Sequence, residues 1–345
     1  MQSKYKMGEF AHVQTGIYEF SGADFQSSSR YFGLDLHEAW MIAHVRNQAT
    51  DRHLHMVRPV MLRTSPGASF SVSAPDGVYQ DARSSAFLRG GNWNRGLDPS
   101  GALTLSGASG FWAGSAPESV SATFGEQLAW SDSGHLQLAG RLLGPGTQAY
   151  IPSREGAGTG GLCHTAIFYE VTGQIFDESV SGIVILEQAF SPPGHILSDS
   201  AVRRRYVGGW NGFASVFEDG TAQFGHLTYG AGPFCFANIV DGERHVCCQV
   251  TAIKTETTTE GLGKRIEYTL ANGELWEFVA ESNGAMRDMI ALAARQGAST
   301  QLHKGHVGKL GETRRRRNWY SIQEWFPERL VANPPDEDNH KLVGF

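Results

Sequence analysis

The stretch Tyr206–Tyr229, YVGGWNGFASVFEDGTAQFGHLTY, decides the fold class of this 345-residue chain. Two runs that are rich in aromatic residues, Tyr206–Phe217 and Thr221–Tyr229, flank the turn Glu218-Asp219-Gly220. An Asp-Gly pair between such runs is a strong hairpin signal, because glycine accepts the positive φ that tight turns require. We therefore expect an antiparallel β-hairpin here.

The same pattern repeats further along the chain. The turns Asp241-Gly242 and Ala271-Asn272-Gly273 each separate two β-prone runs, and a last β run covers Asn318–Phe326. The second half is therefore predicted to be a series of consecutive antiparallel hairpins. The one helix predicted in the second half is a short one through Met286–Ala294, and Asn283 is its expected N-cap.

The first half also contains short β-prone runs, and the amino-acid composition changes after it. In Leu136–Leu143, leucines alternate with polar or small residues, which is typical of a half-buried strand. The segment Ser191–Ser200, SPPGHILSDS, combines prolines, glycine and polar residues as linkers do. We predict an all-β fold of two packed antiparallel barrel or sandwich domains, 1–192 and 201–345, joined by a linker at 193–200.

Composition excludes several classes of protein. Hydrophobic residues make up 41% and charged residues 19%, which supports a folded core, and the net charge of −6 argues against a nucleic-acid binder. No apolar run reaches the roughly 18 residues of a membrane-spanning helix. The polar N-terminus lacks a signal-peptide core, and the four cysteines match no zinc pattern. We expect a cytoplasmic protein with reduced cysteines.

A glutamate stands out in the stretch Tyr169–Phe190, YEVTGQIFDESVSGIVILEQAF. Glu187 shares a strand face with Ile183 and Ile185. A carboxylic acid buried among apolar side chains is favoured in its neutral form, and it can then protonate an alkene or an ether oxygen. The alternative is that Glu187 ends the strand and pairs with one of the arginines at 203–205.

Two further residues are candidates for proton transfer. His226 shares a face with Phe224, and its side chain could act as a general base, unless it is simply a satisfied core histidine. Glu324 has apolar neighbours on its face of the last β run, where it could complement Glu187 or pair with an arginine across the sheet. The predicted catalytic residues are thus Glu187, His226 and Glu324.

A set of aromatic and polar residues is predicted to bind the substrate. Trp40 and His44 are four positions apart, so on a strand both point to the same face. Tyr229 could donate a hydrogen bond to a substrate oxygen, or simply end its strand. The predicted substrate-binding residues are Trp40, His44, Trp210, Asn211, Tyr229 and Tyr320.

We expect no metal and no cofactor. His53 and His55 share a strand face, but no nearby carboxylate or cysteine pattern completes a metal site around them. The chain contains neither a nucleophile elbow nor a nicotinamide or flavin fingerprint.

Four motifs resemble those of a known superfamily. They are the Tyr169–Phe190 stretch, the run Gly209–Thr221, the early Leu36–Val45 segment with Trp40, and the closing Trp319–Trp325. Together they resemble the two-domain lipocalin-like superfamily that contains carotenoid 1,2-hydratase, kievitone hydratase, tocopherol cyclase and lipocalin-like Diels–Alderases.

The resemblance implies two lipocalin-like β domains and cofactor-free chemistry on a hydrophobic small molecule near the domain junction. The chain departs from the pattern after the bridging strand. Family hydratases often carry an Asp and a Trp-Gly there, whereas this chain has Glu187-Gln188-Ala189-Phe190-Ser191. The resemblance to the family hydratases therefore does not include this motif.

Three functions remain open at this point. The first is a lyase, hydratase or isomerase that acts on a terpenoid, steroid, polyketide or phenolic compound. The second is a carrier that holds such a ligand without chemistry, and the third is a scaffold in a larger complex. An enzyme needs at least two titratable groups within reach of one ligand atom, whereas a carrier needs only an apolar pocket. The sequence leaves the oligomeric state open, a homodimer included.

Overall fold

The computed structural model of the chain describes residues 8–10, 13–25, 30–61, 69–84, 93–109, 111–113, 118–151, 161–192, 207–230, 235–295 and 301–326. In these ranges the chain forms 23 strands and one α-helix. The prediction of an all-β fold with two packed β domains and a short helix in the second is confirmed. The predicted linker 193–200 lies outside the described residues, and the domain boundaries stay predictions.

The first fifteen strands form one large antiparallel sheet. Their bounds are β1 (Gly8–Phe10), β2 (Val13–Tyr18), β3 (Arg30–Tyr31), β4 (Leu34–Asn47), β5 (Arg52–Met61), β6 (Ser69–Ala74), β7 (Gly77–Gln80), β8 (Asn94–Leu97), β9 (Leu103–Ser109), β10 (Glu118–Phe124), β11 (Gln127–Asp132), β12 (Leu136–Leu142), β13 (Gly146–Ile151), β14 (Leu162–Ile175) and β15 (Glu178–Ser191). The main strand order is β7-β6-β5-β4-β15-β14-β12-β11-β10-β9-β8; β13 joins β14 to β2, β2 pairs with β1, and β3 pairs with β4.

The remaining eight strands close into a barrel. They are β16 (Val207–Phe217), β17 (Ala222–Gly230), β18 (Phe236–Asp241), β19 (Arg244–Thr257), β20 (Gly263–Leu270), β21 (Leu275–Ala285), β22 (Gln301–Lys309) and β23 (Arg316–Trp325), with the helix α1 (Arg287–Arg295) between β21 and β22. At the predicted hairpin turns, Gly220, Gly242 and Gly273 adopt φ values of 86°, 59° and 84°. Each predicted turn therefore has the backbone conformation that selects glycine.

The sequence placed the helix start wrongly and missed one barrel strand. Asn283 does not cap the helix; it lies in β21, where its side-chain amide donates to the Ala74 carbonyl at 3.1 Å. The barrel strand continues to Ala285, which pairs with His303, and α1 begins only at Arg287. The missed strand, β22, contains two glycines, two histidines and two lysines, so it lacks the alternation of a half-buried strand.

The strand β15 is buried on both faces. Val184, Leu186 and Phe190 belong to the core of the first sheet, whereas Ile183 and Ile185 pack against the barrel with Ala214, Val216 and other residues. This double burial explains the nearly continuous apolar run of β15, which an exposed strand would not tolerate. The only α-helix in the described ranges, α1, has nine residues, too few to cross a membrane.

Candidate functional site

An apolar patch joins the first sheet to the barrel, and titratable side chains lie beside it. Residues of β4, β14 and β15 meet residues of the barrel wall there. The sheet contributes Ile42, Ala166, Phe168, Ile183 and Ile185, and the barrel contributes Ala214, Val216, Phe224, Val240 and Tyr320.

Three side chains from three strands converge at this junction. His164 on β14, Glu187 on β15 and His226 on β17 each direct one nitrogen or oxygen atom to a common point, and these atoms all lie within 4.8 Å of one another. His164 Nε2 is 3.7 Å from Glu187 Oε2. We call His164, Glu187 and His226 the junction triad.

The strand register explains how the triad forms. Ala166 is opposite Glu187 and His164 is opposite Ala189, so His164 and Glu187 are diagonal neighbours on the face that also carries Ile185. On the barrel, His226 is opposite Gly212. The prediction that Glu187 lies on the face of Ile183 and Ile185 is confirmed, and that face is the one that meets the barrel.

His226 is held as a neutral imidazole. Burial, followed by the nearby His164, lowers the pKa of His226 well below its ordinary value. Its Nδ1 is 3.2 Å from Thr147 Oγ1, and its Nε2 is buried without a hydrogen-bond partner in the described part of the chain. A neutral imidazole with one engaged nitrogen can accept a proton on the other, here Nε2.

The missing side chain of Gly212 leaves space next to two triad atoms. A Cβ atom at this position would lie 3.5 Å from His226 Nε2 and 3.8 Å from Glu187 Oε1. Both distances are ordinary van der Waals contacts, so a methyl group there would fill the space without a clash. Gly212 thus marks a point that faces Glu187 and His226 together.

Aromatic rings surround the triad. The Trp210 ring lies 5.0 Å from the ring of His164 and 5.1 Å from that of His226, and Phe168 lies 6.2 Å from His226. Trp40, directly opposite Glu187 in the β4–β15 register, packs partly buried against the apolar patch. His164 and Glu187 keep 12% and 14% of their side-chain surface exposed, so solvent reaches one edge of the triad.

Tyr320 lies near two carboxylates. Burial, then Glu187 and Glu324, raise the pKa of Tyr320 well above its ordinary value, so its hydroxyl remains a hydrogen-bond donor. Glu324 is opposite Trp210 in the β16–β23 register. Glu324 therefore lies near Tyr320, but it is not one of the three groups that converge in the triad.

Two predicted substrate-binding residues point away from the junction. Asn211 lies on the inner side of the barrel, where its amide donates to Gln323 at 2.8 Å and accepts from Ser321 at 2.7 Å. Tyr229 packs against the apolar core of the barrel. On β16, Asn211 is one position from the junction residue Trp210, and on β17, Tyr229 is three positions from the junction residue His226. Residues at odd spacing on a strand point to opposite faces, so Asn211 and Tyr229 face away from the junction. The structure does not bring either residue to the triad.

His44 belongs to a second group of titratable side chains. It lies on the same strand as Trp40 but meets His53 and Glu281, and the nitrogen and oxygen atoms of these three residues also lie within 4.8 Å of one another. We call His44, His53 and Glu281 the second cluster. Since both groups combine imidazole and carboxylate donors, either could hold a metal ion.

The sequence analysis missed His164, Glu281 and Lys304. His164 shares its strand face with Ala166 and Phe168, so the alternation of β14 could have identified it once that face was known to be buried. Glu281 is 228 residues from His53, and no local pattern connects them. Lys304 is fully buried in a strand that was not predicted.

Solved structures similar to this chain include two that each cover most of it. Neither a family model nor a curated protein matches the chain. A crystal structure from Nitrosomonas europaea that carries the AttH designation has a TM-score of 0.45 at 11% identity and covers 88% of this chain and 96% of the other. Kievitone hydratase from Nectria haematococca has a TM-score of 0.36 at 8% identity and covers 90% and 96%. Similarity at this level carries no conclusion about activity, which has to come from the side chains.

Proposed function

We propose that this protein is a cofactor-independent lyase or isomerase that moves protons to and from a hydrophobic or aromatic small molecule at the junction triad. The observation that carries the proposal is the convergence of His164, Glu187 and His226, with donor and acceptor atoms within 4.8 Å of one another. Two or more titratable groups that face one point are what separates an enzyme from a carrier.

The roles within the triad follow from its electrostatics. His226 is neutral, and its Nε2 has no partner in the described part of the chain, so we assign it as the proton acceptor. Glu187, the other group beside Gly212, is assigned as the proton donor. His164, adjacent to the Glu187 side chain and partly exposed, is assigned to pass protons between His226 and Glu187 and to exchange them with solvent.

Hydration of an alkene illustrates the proposed chemistry. Glu187 gives its proton to one alkene carbon, and water bonds to the other carbon while it loses a proton to His226 Nε2. Because burial disfavours the charged form of His226, the imidazolium readily returns its proton to Glu187 through His164. Dehydration is the reverse sequence, and isomerisation is protonation at one carbon with deprotonation at another.

The aromatic walls support an apolar or aromatic substrate. Trp210 lies against both histidines of the triad, and Trp40 is opposite Glu187. Indole faces attract cations, so these rings can stabilise positive charge that develops on a protonated substrate. We assign Tyr320, whose hydroxyl stays protonated, to donate a hydrogen bond to a substrate oxygen.

The experiment is an incubation of the purified protein with terpenoids, steroids and plant phenolics, without cofactor and with EDTA. Mass spectrometry then detects bound compounds and products that have gained one water, lost one water or changed only in structure. We expect a product from the wild type and none from Glu187→Gln, which keeps the shape of the side chain but cannot donate the same proton. Tight binding without turnover of any bound compound would instead identify a carrier.

A further inference from the structure

The junction triad combines two imidazoles and one carboxylate, a donor set that zinc accepts. His164 Nε2 lies 3.7 Å from Glu187 Oε2, and the donor atoms of the three residues all lie within 4.8 Å of one another. With zinc–ligand bonds of about 2.0–2.1 Å, two ligand atoms of a tetrahedral site are about 3.4 Å apart. Small side-chain rotations therefore bring the three donor atoms to the distances that one zinc ion requires.

His226 offers the triad a buried nitrogen that is not engaged. The residue is 3% exposed, and its Nε2 has no hydrogen-bond partner in the described part of the chain. A buried polar atom without a partner costs free energy, so it calls for an explanation. This nitrogen borders the space left by Gly212, where a Cβ atom would lie 3.5 Å from Nε2 and 3.8 Å from Glu187 Oε1. A metal ion bound beside this space would satisfy the imidazole and the carboxylate at once.

Thr147 supports His226 on the other ring nitrogen. Its Oγ1 lies 3.2 Å from His226 Nδ1, and both side chains are buried. Histidines that bind metals almost always have such a partner on the nitrogen that does not bind the metal, because this hydrogen bond fixes the ring. When Nδ1–H donates to the hydroxyl oxygen, Nε2 carries the free lone pair. His226 thus has the supported geometry of a metal ligand.

The charges around Glu187 favour a cation. Within the described ranges its ion-pair partner is His164, and no lysine or arginine pairs with it. Glu324 is a second carboxylate at this place, since it and Glu187 both act on the Tyr320 hydroxyl. Two carboxylates near one point attract a positive ion.

The second cluster has the same types of donor in a basic environment. The cavity of about 10 Å³ beside His44 and His53 is also lined by Arg46 and Arg317. The buried Lys304 acts on both histidines as well. Positive charges at this distance disfavour a cation, so we expect the metal at the triad and not at the second cluster.

We propose that the junction triad binds a divalent metal ion such as zinc, with His164, Glu187 and His226 as ligands and water in the fourth position. Glu187 releases its proton to solvent when it binds the ion, and the lone pair of His226 Nε2 is taken up. Both groups are then lost to proton transfer, so zinc inhibits the reaction proposed above. The metal site stands by itself, whereas the inhibition rests on the proposed function.

The binding test uses the full-length chain after treatment with EDTA and dialysis, without substrate. Titration with Zn²⁺ is followed by calorimetry, and titration with Co²⁺ by its visible absorption, which reports tetrahedral coordination. We expect one equivalent of metal per chain. Glu187→Gln and His226→Asn should each lose this binding, and Thr147→Val, which removes the hydroxyl that supports His226, should weaken it about tenfold or more.

The second cluster provides the matched control. His53→Asn removes a histidine from a similar group of donors, and it should bind Zn²⁺ as the wild type does. Melting curves in EDTA show whether each variant is folded before metal is added. Absence of binding to the wild type, retention of binding in both Glu187→Gln and His226→Asn, or loss of binding in His53→Asn would overturn the metal site.

Turnover of a compound from the panel, measured with EDTA and with Zn²⁺ above its Kd, tests the inhibition. We expect turnover at least about tenfold slower with Zn²⁺, and its recovery when EDTA is added. Unchanged or faster turnover with Zn²⁺ would overturn the inhibition. Absence of product under both conditions would contradict the proposed function and the inhibition with it, whereas the metal site is judged by binding alone.

Discussion

Glu170 of the first sheet and Arg317 of the barrel form a two-pronged ion pair, with Arg317 Nε and Nη2 donating to the two carboxylate oxygens at 2.8 and 2.7 Å. Asn318 adds a third hydrogen bond to Glu170 at 2.9 Å. Burial pushes the pKa of Glu170 upward, but these hydrogen bonds outweigh it and hold the pKa below its ordinary value. The carboxylate is therefore charged at neutral pH, and its ion pair with Arg317 links β14 of the sheet to β23 of the barrel.

Removal of this charge should loosen the junction. We expect Glu170→Gln to lower the free energy of unfolding by about 1–2 kcal/mol, a value reduced for the partial exposure of Arg317. Because the folded pKa is depressed, the difference should be present at neutral pH and disappear as the pH falls through the folded pKa. Urea unfolding of both proteins at several pH values measures it.

An exposed ion pair serves as the control for this prediction. Glu218 and Arg315 lie 3.5 Å apart with 53% and 83% of their side chains exposed, so Glu218→Gln should change stability by less than about 0.5 kcal/mol. Equal effects of the two substitutions would contradict the role assigned to Glu170.

Lys304 should make the protein more stable at alkaline pH. Its pKa is about 7 in the folded chain, compared with an ordinary value of 10.5. Between these two pH values the Lys304 side chain is protonated in the unfolded chain but not in the folded one. Stability contributed by this site therefore rises with pH across that interval by about 1.4 kcal/mol per unit. Lys304→Met should remove this slope and increase stability near pH 7.

Chemical unfolding between pH 7 and 10 tests the prediction for Lys304. Lys254→Met provides the control, since Lys254 is 73% exposed and should leave the slope in place. If the wild type gains no stability relative to Lys304→Met over this interval, Lys304 is not buried in the folded protein.

His226 should stay neutral under mildly acidic conditions. Burial and His164 lower its pKa well below 6.5. Just below pH 6.5, His226 is therefore protonated in the unfolded chain and neutral in the folded protein. Its contribution makes the protein progressively less stable as the pH falls below 6.5. Ring NMR signals, assigned by their loss in His226→Asn, should show a neutral tautomer at pH 6, and a titration midpoint near 6.5 would be the contrary result.

Gly212→Ala should obstruct the site without removing a functional group. The added methyl group fits beside His226 Nε2 and Glu187 Oε1, so the fold should be retained while a substrate atom is excluded from that point. We expect weaker substrate binding, measured as a higher KM, whereas Glu187→Gln should lower kcat with KM nearly unchanged. An unchanged KM in Gly212→Ala would show that substrates do not occupy this space.

Local patterns were enough to predict the fold class and part of the site. Alternation put Ile183, Ile185 and Glu187 on one face, and Asp-Gly and Asn-Gly turns indicated the barrel hairpins. These features depend on neighbours along the chain, which a sequence shows directly.

Long-range contacts could not be predicted in the same way. His53 had no visible carboxylate partner because Glu281 reaches it only when the barrel packs against the sheet. Asn211 and Tyr229 were placed at the site because the sequence does not reveal which face of a barrel strand points inward. Trp210 and His226, on the same two strands, lie on the outer face at the junction instead.

Single-turnover product formation in D₂O, compared between the wild type and Glu187→Gln, tests the central claim about the junction triad most directly. The compound is the first member of the panel that binds, and EDTA is present throughout. In a hydration or an isomerisation the wild type should form a product with one solvent deuteron on carbon, whereas Glu187→Gln should bind the compound equally well and react at least about 100-fold more slowly. Equal rates in the two proteins would contradict the role of Glu187 as proton donor.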